Sequence, residues 1–396
     1  MAATEKYFIH HIVNADGIRT DAEIIVHNGI ISEIKDNSED VCPSTPFYYA
    51  IPGFIDIHTH GGDGLDIMDA TADAISGIAR YHLKNGTTSF IGSTLSAPLD
   101  KIESLLAIGQ ACLSQNRERS RKGEEARLLG FHLEGPWLST RNKGAHNPSF
   151  IKKPSLESIQ LIEKYADIIR MVTFDYADSS NDPFLSCLTD HHIIPACGHD
   201  NTLDSDILEG FRKGINHVTH LYSCTSTFQK KDGRKHLGTS EMALMTKGVT
   251  VEVIADNHHI TQQFWDFILH NKSVNDIILV SDSIRAAGLP ERPGYRYLLG
   301  DVEIVIEDGV AWVPDKTVFA GSIASMYSMF CTLVQKWGVS VPDAVRMTSF
   351  NQAEKTGLSE HIGRISPGQD ADMVFLDRDL SIQKVLKYGN EVSSEC

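Results

Sequence analysis

Apolar, β-branched runs recur along the chain and stop abruptly at polar side chains. The run from Gly53 through Ile57 ends in His58-Thr59-His60, Phe131-His132-Leu133 ends in Glu134, Pro195-Ala196-Cys197-Gly198 ends in His199, and Val218-Thr219 ends in His220. A fifth, Ile277-Ile278-Leu279-Val280-Ser281, ends in Asp282. Short continuous apolar runs are the pattern of strands buried on both faces, and a polar residue at the carboxyl end of each is how a parallel barrel carries its site. Strands are predicted at 53–58, 87–91, 127–134, 169–174, 192–199, 217–222, 250–255 and 277–282. The intervals leave room for helices, as at 156–165 and 205–213. The pattern predicts an α/β fold of the (β/α)8 TIM type. An open doubly wound sheet is the competing arrangement, but no glycine-rich dinucleotide turn follows the first strand.

The two ends of the chain alternate in shorter pieces. Tyr7-Phe8-Ile9, Glu23 to Val26 and Ile30 to Ile34 read as strands, with Asn28-Gly29 as a hairpin turn. Residues 363–377 and 382–392 repeat this style. The ends are therefore expected to pair in a small β domain built from 1–50 and 359–396, around a metal-dependent barrel at 51–358. Residues 304–313, around Asp308-Gly309, read as a hairpin inserted near the end of the barrel.

Composition narrows the partners. At 396 residues, 41% hydrophobic and 22% charged, the chain can bury one large core and a small satellite. A formal net charge of -16 excludes nucleic acid and anionic membrane surfaces as general partners, so an anionic substrate must be held by local cations. The seven cysteines are scattered with no CxxC pair, which argues against a zinc ribbon and against a disulfide framework. No apolar run reaches membrane-span or signal-peptide length, and a cytoplasmic protein is expected.

The strand-end residues define the candidate chemistry. Residues two apart on a strand face the same way, so His58 and His60 can present two imidazoles together. Imidazole and carboxylate suit Zn, Fe, Co or Ni, and a carboxylate such as Glu134 can bridge two ions. Most of the 18 histidines must serve elsewhere; His10, His11, His82, His191 and His192 read as surface or hydrogen-bonded core residues.

The phrases running from Pro52 to Gly61, His132-Leu133-Glu134-Gly135-Pro136, Gly144-Ala145-His146, Cys197-Gly198-His199, Thr219-His220-Leu221-Tyr222, Ile254-Ala255-Asp256 and Phe319-Ala320-Gly321-Ser322 occur in this order. Together they resemble the N-acetylglucosamine-6-phosphate deacetylase branch of the amidohydrolase superfamily. Gly363-Arg364-Ile365 and Gly368 to Asp372 resemble that superfamily's small β domain. The resemblance implies hydrolysis of an acetamide by water activated on a divalent ion, zinc foremost, with Fe, Co, Ni or Mn as alternatives. Glu134, His199 and His220 would hold the principal ion. His58 and His60 match the pair that supports a second ion in some members, so one or two ions remain open. Asp282 matches the catalytic aspartate, which takes a proton from the water and gives it to the departing amine. His146 would hydrogen-bond the carbonyl oxygen. Ala145, Phe319, Ala320, Gly321 and His259 would contact the substrate, although the adjacent His258 leaves the choice of histidine open.

The chain departs from that pattern at the phosphate end. Ser223-Cys224 stands where the family commonly has Asn-Ala, though backbone donors at Ser223 and Cys224 can still serve. Gly233-Arg234 is the best match for an arginine that reaches a neighbouring subunit's site, and it implies a homodimer. Lys230, Lys231, Arg234 and Lys235 together offer a cationic cluster suited to a phosphate. Asn257 replaces a glycine after Asp256 and tolerates the left-handed turn required there. The same chemistry on N-acetylgalactosamine 6-phosphate, an unphosphorylated amino sugar or an N-acyl amino acid is the near alternative. A non-catalytic scaffold is the distant one.

Overall fold

The computed structural model describes residues 4–36, 45, 47–292 and 294–393; Cys42 and Cys396 lie outside the described residues. Eight parallel strands pair in chain order: Phe54–Thr59, Thr87–Ser93, Arg127–Glu134, Ile169–Phe174, Ile194–Cys197, His217–Val218, Thr250–Val253 and Ile277–Leu279. The ring closes between its first and last members. The Asp282 N–H donates to the His58 carbonyl at 2.9 Å, the His60 N–H donates to the Ser283 carbonyl at 2.8 Å, and Thr59 lies opposite Ser283 in a parallel bridge. This is the (β/α)8 barrel, and the backbone that closes it belongs to the same residues the sequence singles out for chemistry.

Four strands are shorter than predicted, and for three of them the cause is local. His199, His220 and Asp282 have φ of 46°, 24° and 47°. Left-handed backbone cannot continue a strand, so regular pairing stops before each of these residues and the chain turns at the barrel mouth. The functional side chains thus sit just past the strands, on turns the strands hold.

Helices cover the barrel. The first, Ala72–Lys84, starts where the Thr71 side chain accepts from the Ala74 N–H and buries Ile75, Ile78, Ala79 and Leu83. The second, Leu99–Arg121, packs so closely on the third strand that a Cβ at Gly109 would stand 2.3 Å from the Phe131 ring. The helices expected at 156–165 and 205–213 form as Leu156–Lys164 and Asp204–Lys213. The insertion near the end of the barrel is a three-stranded meander rather than a hairpin alone. Arg296–Leu299 precedes the expected pair Val302–Glu307 and Val310–Trp312.

The chain ends meet as their alternation predicts. A seven-stranded sheet runs in the order Asn390–Glu391, Ile382–Lys387, Met373–Leu376, Tyr49–Pro52, Thr4–Asn14, Gly17–His27, Ile30–Asp36. Its own core contains Ile9, Ile24, Ile31, Met373 and Phe375. The Lys387 ammonium is fully buried and donates to Asp372 at 2.5 Å, while the other Asp372 oxygen accepts the Tyr388 N–H at 2.9 Å. Burial pulls the Lys387 pKa down, and the Asp372 charge opposes that shift. The Asp at the end of the Gly368 to Asp372 phrase is thereby a structural counter-ion.

His82 is a core residue, with Nε2 3.1 Å from the Thr59 hydroxyl and its ring stacked on Phe90 at 5.3 Å. Burial with no neighbouring carboxylate pushes it down to about 3. Its unfolded value is near 6.5, so unfolding takes up a proton between these two values. The stabilisation by neutral His82 is complete above about pH 6.5 and declines by up to about 1.4 kcal/mol per unit as pH falls toward 3. Urea titrations of wild type and His82→Gln at pH 7 and pH 5 check this. The variant is expected to lose less stability on acidification, and an equal loss in both proteins would count against the assignment.

Candidate metal centre

The Glu134 carboxylate, at the end of the third barrel strand, is the point on which the site converges. His199 and His220 bring Nε2 to 3.1 and 2.9 Å from its Oε1. His60, His146 and His58 bring Nε2 to 3.2, 3.4 and 3.6 Å from its Oε2. Asp282 Oδ1 lies 3.1 Å from His60 Nε2 and 3.6 Å from His58 Nε2. All of these side chains are buried. The structure therefore brings the predicted strand-end residues into one cluster, with Glu134 shared between two groups of donor atoms, one with His58 and His60 and the other with His146 and His199.

Hydrogen-bond partners on the far side of His199, His58 and His146 assign their tautomers, whereas His60 Nδ1 and His220 Nδ1 are buried with no partner among the described residues. His199 Nδ1 faces the Asn142 carbonyl at 2.8 Å, which can only accept, so Nδ1 carries the proton and Nε2 turns a lone pair inward. His58 Nδ1 meets the Glu252 carboxylate at 2.9 Å with the same result. His199 Nε2 is also 3.0 Å from His220 Nε2, and His58 Nε2 is 3.3 Å from His60 Nε2. Inward lone pairs packed against one another and against carboxylate oxygens repel unless cations lie between them. The donor set fits divalent metal.

His146 is different. Its Nδ1 accepts the Ser96 N–H at 3.1 Å, so in the neutral ring the proton sits on Nε2 and points into the cluster. Burial holds the ring down at about 4, so it stays neutral. It is a hydrogen-bond donor in the cavity, not a lone-pair ligand, although its distance alone would allow either.

In the metal-free protein, protons neutralise the cluster. Burial opposes a charge on His60, yet Asp282 and Glu134 raise it to about 9. Burial likewise opposes His199, which Cys224 and Glu134 raise to about 10. Against burial, the surrounding imidazoles hold Glu134 and Asp282 below the usual carboxylate range. A bound cation displaces those protons.

A cavity of about 280 Å³ opens above the cluster. His60, Glu134, His146, His199, His220 and Asp282 line its base, with Ala145, Ser223, Cys224, His259, Phe319 and Gly321 around them and Leu95, Leu299 and Val318 as an apolar margin. His259 is the histidine that enters; His258 is exposed. Asn257 has φ 65°, and the turn it makes lets Asp256 accept from both the His258 and His259 N–H groups at 2.9 Å and from His259 Nδ1 at 2.8 Å. Ala320 is buried and does not line the cavity. Arg234 is exposed on a hairpin of Gln229–Lys231 and Arg234–His236, outside the cavity of its own chain. Among the described residues, no lysine or arginine lines the cavity. A larger cavity of about 650 Å³, beside the small sheet, contains Arg117, Arg121 and Arg127 but none of the clustered ligands, so size does not mark the site.

Glu252 escaped the strand-end pattern because it lies within the seventh strand. It is fully buried and accepts from His58 Nδ1 at 2.9 Å, the His220 N–H at 3.0 Å and His217 Nε2 at 2.9 Å. A carboxylate inside Thr250-Val251-Glu252-Val253 was the available signal, since a charge in an apolar strand requires buried partners. His132, two residues before Glu134, spans Ser93 and Thr173 hydroxyls at 3.0 and 2.7 Å and supports the same layer.

Residues 49–392 match the model of the amidohydrolase family. The chain is 30% identical over 341 residues to an N-acetylglucosamine-6-phosphate deacetylase of Bacillus subtilis (strain 168), covering 86% of this chain and 83% of that one. It is 27% identical over 385 residues to an N-acetylgalactosamine-6-phosphate deacetylase of Escherichia coli O157:H7, covering 96% and 97%. The crystal structure of an N-acetylglucosamine-6-phosphate deacetylase from Thermotoga maritima superposes with a TM-score of 0.86 at 27% identity, covering 98% of this chain and 99% of that one.

The Glu252 hydrogen bonds lead to a measurable expectation. Glu252→Gln leaves His58 free to change tautomer and should weaken divalent-metal affinity by roughly 10–100-fold. Competition against a chromophoric chelator reads this directly. An unchanged affinity would reduce Glu252 to a packing role.

Proposed function

This chain belongs to the amidohydrolase family, in its N-acetylglucosamine-6-phosphate deacetylase branch, and on that premise we propose that it hydrolyses the acetamide of N-acetylglucosamine 6-phosphate to glucosamine 6-phosphate and acetate. The observation that carries the proposal is the pairing of an inward lone-pair cluster with one imidazole, His146, held as a donor beside it.

In this reading Glu134, His199 and His220 would hold the principal ion, and His58 and His60 would support a second. Zinc is the first choice for these ligands, and Fe, Co, Ni and Mn are compatible. When bound, the ion supplies a water acidified toward a pKa of about 7 and polarises the acetyl carbonyl. Asp282, ionised and facing the same space, takes a proton from the attacking water and passes it to the departing amine. His146 donates its Nε2 proton to the carbonyl oxygen as charge builds there. Because its ring is held at about 4, it does this as a neutral donor through physiological pH. His259, its Nδ1 proton engaged by Asp256, presents an acceptor to a sugar hydroxyl, and the apolar margin of Leu95, Leu299 and Val318 excludes water.

The phosphate needs a cation that the cavity of one chain does not supply. Arg234, exposed on its basic hairpin, meets that need from a second copy, so the active form is a homodimer. The absence of a lining cation also favours a second reading, an unphosphorylated N-acetylated sugar bound by a single chain. No helix among the described residues is long and apolar enough to cross a membrane. The free thiols of Cys112, Cys187, Cys197, Cys224 and Cys331 accord with a cytoplasmic location.

Acetate release by metal-replete protein, with N-acetylglucosamine 6-phosphate and N-acetylglucosamine compared, decides between these readings. The phosphorylated sugar is expected to be strongly preferred, with Arg234→Ala raising KM for it alone. Asp282→Asn should lower kcat by roughly 10²–10⁴. Equal turnover of both sugars would leave the second reading, and full activity in Asp282→Asn would remove the mechanism.

A further inference from the structure

Away from the barrel mouth, three ligating side chains meet between two outer helices. Cys187 lies on the helix Asp182–Asp190, and the His191 N–H still donates to the Cys187 carbonyl at 3.2 Å, so helical geometry extends through His191. Residues four apart on a helix share a face. Glu163 approaches from the last turn of the neighbouring helix, Leu156–Lys164. A Cys187 thiol, a His191 ring nitrogen and a Glu163 carboxylate oxygen all lie within 4.8 Å of one another. Among the described residues, none of these three side chains makes a hydrogen bond or an ion pair.

The spacing is too wide for direct hydrogen bonds and close to the span of ligands around one cation, for which Zn–S is about 2.3 Å and Zn–N about 2.0–2.1 Å. Cys187 is buried and fixed, whereas Glu163 and His191 are exposed and can rotate the remaining distance. Both helices present their C-terminal ends here, where unpaired carbonyls carry partial negative charge. Burial, reinforced by the charges of Glu163 and Asp190, pushes the Cys187 thiol up to about 11 in the metal-free protein. The charges of Glu163 and Asp190 attract a divalent cation, which must displace the thiol proton.

We propose that Glu163, Cys187 and His191 form a three-ligand zinc site that clamps these two helices, separate from the metal centre of the barrel. Thiolate, imidazole and carboxylate together select a borderline-soft ion over magnesium or calcium. Binding forms one Zn–S bond, and the Cys187 proton leaves to solvent. Water completes the coordination. None of the three residues lines the catalytic cavity.

The test uses the full-length protein, saturated with zinc and then desalted. Wild type is expected to retain one more zinc per chain than Cys187→Ser or His191→Asn, with acetate release unchanged in both variants. His191 is exposed, so its variant keeps the comparison valid should the Cys187 variant fold poorly. Cobalt-loaded wild type should show a near-ultraviolet thiolate-to-cobalt band that Cys187→Ser abolishes and Cys224→Ser retains. Equal zinc in wild type and His191→Asn, or a band that survives Cys187→Ser, would overturn the proposal.

Discussion

A buried carboxylate facing five imidazole nitrogens sets the terms for the rest of this molecule. Glu134 is almost wholly removed from water, and its charge is tolerable only because histidines from other strand ends, and His146 from the loop after its own strand, surround it. Three of those histidines, His199, His58 and His146, carry an inward lone pair or proton according to what stands behind them. The outer partners, the Asn142 carbonyl, the Glu252 carboxylate and the Ser96 N–H, therefore decide which rings turn a lone pair inward and which turns a proton. Chemistry is assigned at the back of the ring, on the nitrogen opposite the one that uses it.

The barrel cannot be separated from this cluster. Its ring is completed by hydrogen bonds from Asp282 to His58 and from His60 to Ser283, so the fold's last closure and the placement of these clustered side chains are one event. The left-handed backbone at His199, His220 and Asp282 is local strain that the surrounding sheet sustains. It turns side chains toward the centre at the point where a continuing strand would carry them past it.

Much of this was legible in the sequence because parallel strands are apolar throughout and end in functional residues. The barrel, the ligand cluster and the pairing of the chain ends followed from that period and from the ordered motifs. The strand ends at His199, His220 and Asp282 were placed too late, since φ is not written in residue type when the residue is not glycine. Glu252 was missed because the pattern searched strand ends, and its partners come from strands distant in sequence. Arg234 was expected to reach a neighbouring subunit's site, and in its own chain it lies on an exposed hairpin away from the cavity. The choice between His258 and His259 needed the turn at Asn257, which only coordinates supply.

Glu252 ties the two halves of the ligand cluster together from behind, through His58 on one side and the His220 backbone on the other. That tie has an evolutionary consequence. A lineage that replaced His58 to dispense with a second ion would strand a buried charge with one partner fewer, at a cost of several kcal/mol. Positions 58 and 252, 194 residues apart, are therefore coupled, and a replacement of His58 is tolerated best where the residue at 252 changes with it.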